Sequence, residues 1–197
     1  MEARRLKTPN GKTSSAGFSL IELVIVVAVI VLLAATAIPN AVATLRAYRI
    51  TSSARGLAHQ LSLARLRAQT EFTNSQLVIN PATNSYGVQL CTVKTAIPPC
   101  TNASDYQNEG TQFLPSGISF GFGPAAVPAG GQAALQQTIQ TRFNSRGIPV
   151  LLDGSGNTNP NDVIYLTDGV ANAFAISVTV GGHVRVWRYN MGGWYQQ

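Results

Sequence analysis

Glu22 is the residue of this chain that first demands a chemical explanation. It is a single carboxylate inside an otherwise apolar run, residues 18–38. A charge is costly at the centre of a membrane helix and less so near its end, where Glu22 lies. Two readings fit: the carboxylate reaches up to the headgroups, or it awaits a positive partner. A cut between Gly17 and Phe18 would create that partner, the new α-amino group of Phe18, and would make Glu22 the fifth residue of the processed chain. Such a pair sets register between helices more than it adds stability.

Other residues with chemical potential lie further on. Cys91 and Cys100 have eight residues between them. Arg185, Trp187 and Tyr189 alternate on one strand, and basic groups with aromatics can track phosphates and stack on unpaired bases. The plain alternative is that Trp187 and Tyr189 pack under the tail 191–197 or against another subunit. No nucleophile–base arrangement has recognisable local context, and no glycine-rich phosphate loop follows a strand, so no enzyme is expected. His59 and His183 are far apart and lack ligand spacing, so neither a metal nor a cofactor is expected.

The run 18–38 holds 21 residues. That suffices to cross a bilayer, since ~20 residues at ~1.5 Å each span ~30 Å of hydrocarbon. A cleaved secretory signal has a shorter apolar core, with its small residues after the core. Here Ser15, Ala16 and Gly17 come before it, so a cut after Gly17 removes the charges and keeps the helix. An uncut anchor is the remaining alternative. Arg4, Arg5, Lys7 and Lys12 precede the run. They should hold the amino end in the cytoplasm, with everything after Asn40 exported.

Composition fits an exported domain on a membrane helix. The formal charge is +6, but the processed chain keeps ten basic and seven acidic residues, too mild a balance to indicate nucleic acid. About 155 residues follow Asn40, enough for one domain with a real core. Both cysteines lie in that part, where oxidation is favoured, and a Cys91–Cys100 bond would close a short loop containing Pro98 and Pro99.

From 39 to about 74 the chain reads as a second helical stretch. Ile50, Ala54, Leu57, Leu61, Ala64 and Ala68 fall on one stripe at 100° per residue. Pro39 should bend the join rather than end the helix. Arg46, Arg49, Arg55, Arg65 and Arg67 lie on this segment and read as a solvated or subunit-facing surface in preference to a nucleic-acid site. Strands are predicted at 76–80, 86–90, 118–122, 138–143, 148–152, 163–167, 174–180 and 184–189. Long loops are expected between 100 and 136, where charge is low and Gly, Pro and Ala are frequent. In the last hairpin, a two-residue turn Gly181-Gly182 would pair Val180 with His183. A three-residue loop, 181–183, pairs Val180 with Val184 instead, puts Val184 and Val186 with the apolar set, and turns Arg185, Trp187 and Tyr189 away. The second register segregates the side chains better and is preferred.

Gly17-Phe18-Ser19-Leu20-Ile21-Glu22-Leu23, continuing to Ile38-Pro39-Asn40, resembles the class III signal of type IV pilins and type II secretion pseudopilins. The resemblance implies cleavage after Gly17 by a prepilin peptidase, methylation of the new amino terminus at Phe18, and Glu22 as the assembly carboxylate. It also implies an α+β pilin fold, in which a long helix, transmembrane in its first half and amphipathic in its second, packs on an antiparallel sheet. The divisions are then a cytoplasmic leader (1–17), a transmembrane and assembly helix (18–38), an amphipathic helix (39–75) and an exported β-rich domain (76–197).

Gly56-Leu57-Ala58-His59-Gln60-Leu61-Ser62-Leu63-Ala64-Arg65 resembles, more loosely, the helix signature of the GspH/FimT family. So do Cys91 with Cys100, Arg142-Phe143-Asn144-Ser145-Arg146-Gly147, and the closing Gly-x-Val-Arg-Val strand. The expected role is a minor pilin or pseudopilin of the inner membrane. Its implied partners are the peptidase and methyltransferase, other pilins, the inner-membrane assembly platform, and membrane lipid before assembly. The alternative is a DNA-binding minor pilin for natural transformation. That reading draws on a Gly-Arg-x-Arg motif, whose place Gly182-His183-Val184-Arg185 occupies, with His183 where the first arginine would stand. Arg185, Arg188, Arg142 and Trp187 are the DNA-contact candidates.

Overall fold

The computed structural model describes residues 17–93, 100, 102–152, 157–158 and 162–197. The leader to residue 16, with Arg4, Arg5, Lys7 and Lys12, lies outside the described residues, as do Pro98 and Pro99. The described chain is α+β, as expected: one long helix, α1 (Leu20–Thr70), is followed by antiparallel strands. It divides into two units, Met1–Val42 and Ala43–Gln197.

In the first unit α1 begins just after Ser19, whose carbonyl accepts the Leu23 N–H at 3.2 Å. The helix assignment runs through Pro39 without a break. An 18-residue window has mean hydropathy 3.0, with none of it buried in the chain. A helix that is apolar all round must be covered by lipid or by other helices.

In the second unit the stripe Ile50, Ala54, Leu57, Leu61, Ala64 and Ala68 is completely buried, which confirms the 3.6-residue reading. The helix stops at Thr70, short of the expected boundary at 75. Phe72 takes a left-handed φ of 51°, and the Thr73 N–H donates to Ala68 O at 3.2 Å. This is a Schellman-type end, with phenylalanine where glycine is usual.

The strands form two five-stranded sheets rather than one. The first holds β1 (Ser75–Asn80), β2 (Ser85–Cys91), β3 (Tyr106–Phe113), β5 (Gln140–Phe143) and β6 (Pro149–Val150), in the order β3-β2-β1-β5-β6. The second holds β4 (Ser119–Phe120), β7 (Asp162–Thr167), β8 (Ala173–Val178), β9 (Val184–Asn190) and β10 (Gly193–Gln196), in the order β10-β9-β8-β7-β4. Residues just before β5 connect the two: Thr138 N–H donates to Val163 O at 3.0 Å, and Ile79 N–H donates to Ile139 O at 2.9 Å.

The main core draws on the helix stripe and both sheets, including Leu77, Ile79, Tyr86, Val88 and Phe143 from the first and Ile164, Leu166, Phe174, Ile176 and Val178 from the second. A smaller core lies on the other face of the second sheet. Ala129, Val163, Tyr165 and Ala175 form it, with Phe122, Leu135, Trp187 and Trp194 packed against them. The segment 121–137 therefore covers the back of that sheet. With both faces covered, every residue of β7 and β8 is buried.

One expectation is corrected. The stretch 100–136 is not all loop. A 3-10 turn, Ala103–Asp105, leads into β3, an eight-residue strand. β3 is an edge strand with nearly every side chain in solvent, so it has no apolar alternation to read. The tail is also structured: β10 pairs back on β9 through a two-residue turn, Met191-Gly192, with both φ values positive.

Candidate functional site

Three groups of side chains matter. At the amino end, Gly17 and Phe18 precede the helix, and Phe18 is exposed. Glu22 occupies the first turn of α1. Ser19 and Glu22 have the spacing of a capping box, S-x-x-E, so the carboxylate also suits the positive end of the helix dipole. This use is additional to the two readings of Glu22 drawn from the sequence, headgroup contact and pairing with an amine.

The second group is the closing hairpin. Val178 pairs with Val184, Ile176 with Val186 and Ala175 with Trp187. The pairing of Val180 with Val184 is therefore corrected by two residues. The loop still has three residues, but they are 180–182. Thr179 N–H donates to His183 O at 2.9 Å, Gly182 N–H donates to Thr179 O at 2.7 Å, and Gly182 has φ 76°. That is the usual three-residue form, a turn followed by a left-handed glycine. A shift of two preserves the faces, so Val184 and Val186 do join the apolar side.

The opposite face is not open. Trp187 is half-buried, and its Nε1 donates to Ser177 Oγ at 2.8 Å. Trp194 Nε1 donates to Val127 O at 2.8 Å. The Trp194 ring lies 5.1 Å from Tyr189 and 5.7 Å from Tyr165. The tryptophans thus anchor the covering segment 121–137 within their own domain.

The four DNA-contact candidates do not converge. Arg185 and Arg188 are exposed but, three residues apart on β9, they leave it on opposite faces. Arg142 is only 5% exposed. Its Nε donates to Gln76 Oε1 at 3.2 Å, and its guanidinium sits 5.2 Å from the Tyr106 ring centroid. Burial raises the Tyr106 pKa, and the Arg142 charge works against that rise. Arg142 is thus committed to the first sheet, with Gln76, Gln89 and Tyr106, and is unavailable to an external ligand. Among the helix arginines, Arg67 pairs with Glu109 at 3.2 Å.

The third group was not foreseen. Gly147 and Gly182, from separate loops, meet beside Arg65 of α1. A Cβ on Gly182 would fall inside contact distance of Gly147 O and 3.0 Å from Arg65 Nε. Gln69 Nε2 donates to Arg146 O at 3.1 Å, tying the same loop to the helix. The sequence signal was the pair of glycines in the Arg-Gly and Gly-x-Val contexts, which carried the resemblance without revealing that they touch.

Cys91 and Cys100 form a disulfide with a Cα–Cα distance of 5.9 Å. It ties the end of β2 to the chain just before the Ala103–Asp105 turn.

Residues 12–38 match the prokaryotic N-terminal methylation motif. No curated protein matches the chain. Two solved structures of the minor pseudopilin EpsH from the type 2 secretion system of Vibrio cholerae are similar over 70% of this chain, at 13% identity. One has TM-score 0.44 and is covered over 95% of its length; the other has TM-score 0.42 and is covered over 92%. At that level of likeness they carry no argument about activity or partners. The methylation motif thus stands at the head of a long helix whose later part packs on antiparallel sheets.

Proposed function

We propose that this chain is a minor pilin or pseudopilin, a structural subunit and not an enzyme. Prepilin peptidase removes the leader after Gly17 and the new terminus at Phe18 is methylated. The apolar helix then passes from the inner membrane, with its amino end cytoplasmic and its domain exported, into a short filament of pilins raised by a membrane assembly platform. The observation that carries this reading is the methylation motif over 12–38, joined to a helix long and apolar enough to cross a membrane. In the filament core Glu22 would be compensated by a terminal amine.

Mass spectrometry of the chain purified from its membrane tests the first step. The expected product begins at Phe18 and carries one added methyl group. Gly17→Val should leave the leader attached. An unprocessed wild-type chain would sink the proposal.

A second reading, DNA capture in natural transformation, draws support from the exposed Arg185, Arg188 and His183 near the end of the last hairpin. It loses two of its original contacts, because Arg142 and Trp187 are engaged inside the domain. Salt-dependent binding that disappears in an Arg185→Ala, Arg188→Ala variant would favour it. Absence of binding at low salt would leave those arginines as subunit contacts.

A further inference from the structure

Ser62, Arg65, Leu66 and Gln69 recur at the i, i+3, i+4 and i+7 positions of α1, so they share one face. They form one wall of a cleft of about 420 Å³, with His183 and Val184 of the closing hairpin on the other. Arg65 is held in place by glycine backbone. A Cβ on Gly182 would lie 3.3 Å from its Cζ, and one on Gly147 would lie 3.0 Å from its Cγ. Arg65 is half-buried; its Nε is shut away from solvent and has no hydrogen-bond acceptor among the described residues, so a ligand in the cleft must meet the outer part of the guanidinium. A guanidinium stays charged at any ordinary pH, and withdrawing its N–H from water without an acceptor is costly.

Among the described residues that line the cleft there is no aspartate or glutamate to meet that charge. Its other polar members are already engaged: the Ser62 hydroxyl donates to Ala58 O at 2.9 Å, and the Gln69 amide donates to Arg146 O at 3.1 Å. Arg65 and His183 remain to recognise a ligand. The lining also offers apolar surface at Val184 and at Leu66, which is half exposed, and it has no Phe, Tyr or Trp on which a base could stack.

We propose that this cleft receives an acidic peptide segment of a partner protein. A carboxylate of the segment lies on the Arg65 guanidinium, and an adjacent apolar side chain covers Leu66 and Val184. Arginine suits this role because its fork can hold both carboxylate oxygens at once. A phosphodiester would satisfy the charge but leave the apolar wall uncovered. The assignment stands on the cleft itself and does not depend on the filament reading.

The test uses the full chain in detergent, with the side-chain Nε–Hε signal of Arg65 followed by NMR. The probes are a capped peptide with glutamate next to leucine, its glutamine counterpart, and a single-stranded oligonucleotide. The glutamate peptide is expected to move the Arg65 signal and the Gly182 amide, and to bind at least about tenfold tighter than the glutamine peptide, as one charge-assisted pair implies. Arg65→Gln should remove that preference while other amide signals stay in place, and Arg65→Lys should keep part of it. Equal binding of the two peptides, an unmoved Arg65 signal, or an oligonucleotide that displaces the peptide from Arg65 would each overturn the proposal.

Discussion

Gly147 and Gly182 allow a controlled comparison, because their φ angles are nearly equal, 74° and 76°. Alanine at either position pays the same left-handed strain, about 1–2 kcal/mol. The contacts differ. A Cβ on Gly147 meets Gln69 Nε2 at 2.5 Å and Cδ at 2.8 Å, the far end of a flexible side chain, and more loosely Arg65 Cγ at 3.0 Å. Gln69 can swing away at the loss of its bond to Arg146 O, about 0.5–1.5 kcal/mol, so Gly147→Ala should destabilise the domain by about 1.5–3.5 kcal/mol. A Cβ on Gly182 meets the backbone oxygen of Gly147, which cannot move unless its loop does. Overpacking of that kind costs about 1–3 kcal/mol more than strain alone, so Gly182→Ala should cost about 2–5 kcal/mol. Urea unfolding of a fragment beginning at Ala43 reads the difference, since the chain's two tryptophans, Trp187 and Trp194, both lie in this unit. The midpoint should fall further for Gly182→Ala, and the double variant should be less than additive because the two sites touch. If Gly182→Ala is as mild as Gly147→Ala, the hairpin tip is not seated on the Gly147 loop and the cleft geometry is wrong.

Glu22→Gln keeps the capping-box pattern but removes the charge, whereas Glu22→Ala removes both. If compensation of a terminal amine drives assembly, both variants should be processed normally and both should fail to enter filaments, counted by shearing and immunoblot; rescue by glutamine would assign the residue to helix capping instead. Reducing Cys91–Cys100, or replacing both by alanine, should cost up to ~3 kcal/mol on the loop-entropy account, read as a lower thermal midpoint. At Asp168 burial would raise the pKa, but hydrogen bonds from the Asn172 side chain and from the Asn172, Val170 and Ala171 N–H groups hold it down at about 2. Because the folded value lies below the unfolded 3.8, Asp168 stabilises the fold fully above about pH 4 and loses that contribution as pH falls toward 2. Asp168→Asn should therefore flatten the acid limb of a stability-versus-pH curve.

The helix was legible because its signal is redundant. Six buried positions at three- and four-residue spacing leave one solution, and all six are fully buried. Its end was not, because the left-handed C′ position holds Phe72, where a reader of sequences looks for glycine. The faces of the last hairpin survived an error of two in register, since strand parity has period two. β3 was invisible for the opposite reason: an edge strand wetted on both sides has no pattern to display. The motif over 12–38 lies in consecutive residues and could be read directly. Arg142 and Trp187 could not be placed, because burial of an arginine under Tyr106, or of a tryptophan beneath a distant loop, is decided by segments far away in the chain. The contact of Gly147 with Gly182 beside Arg65 joins three such segments, and no local pattern announces it.

The apolar helix has one further property. Apart from Glu22, the only polar side chain between Leu20 and Ile38 is Thr36, and its hydroxyl donates to Leu33 O at 3.0 Å, which hides its polarity. At 100° per residue, Thr36 also falls within about 40° of the azimuth of Glu22. The surface of the span is therefore almost the same in every direction around its axis and marked at only one height along it. A neighbour meeting this segment gains little by turning it and much by sliding it. Such a helix can be pulled past others with low rotational friction, and it has one notch at which to stop.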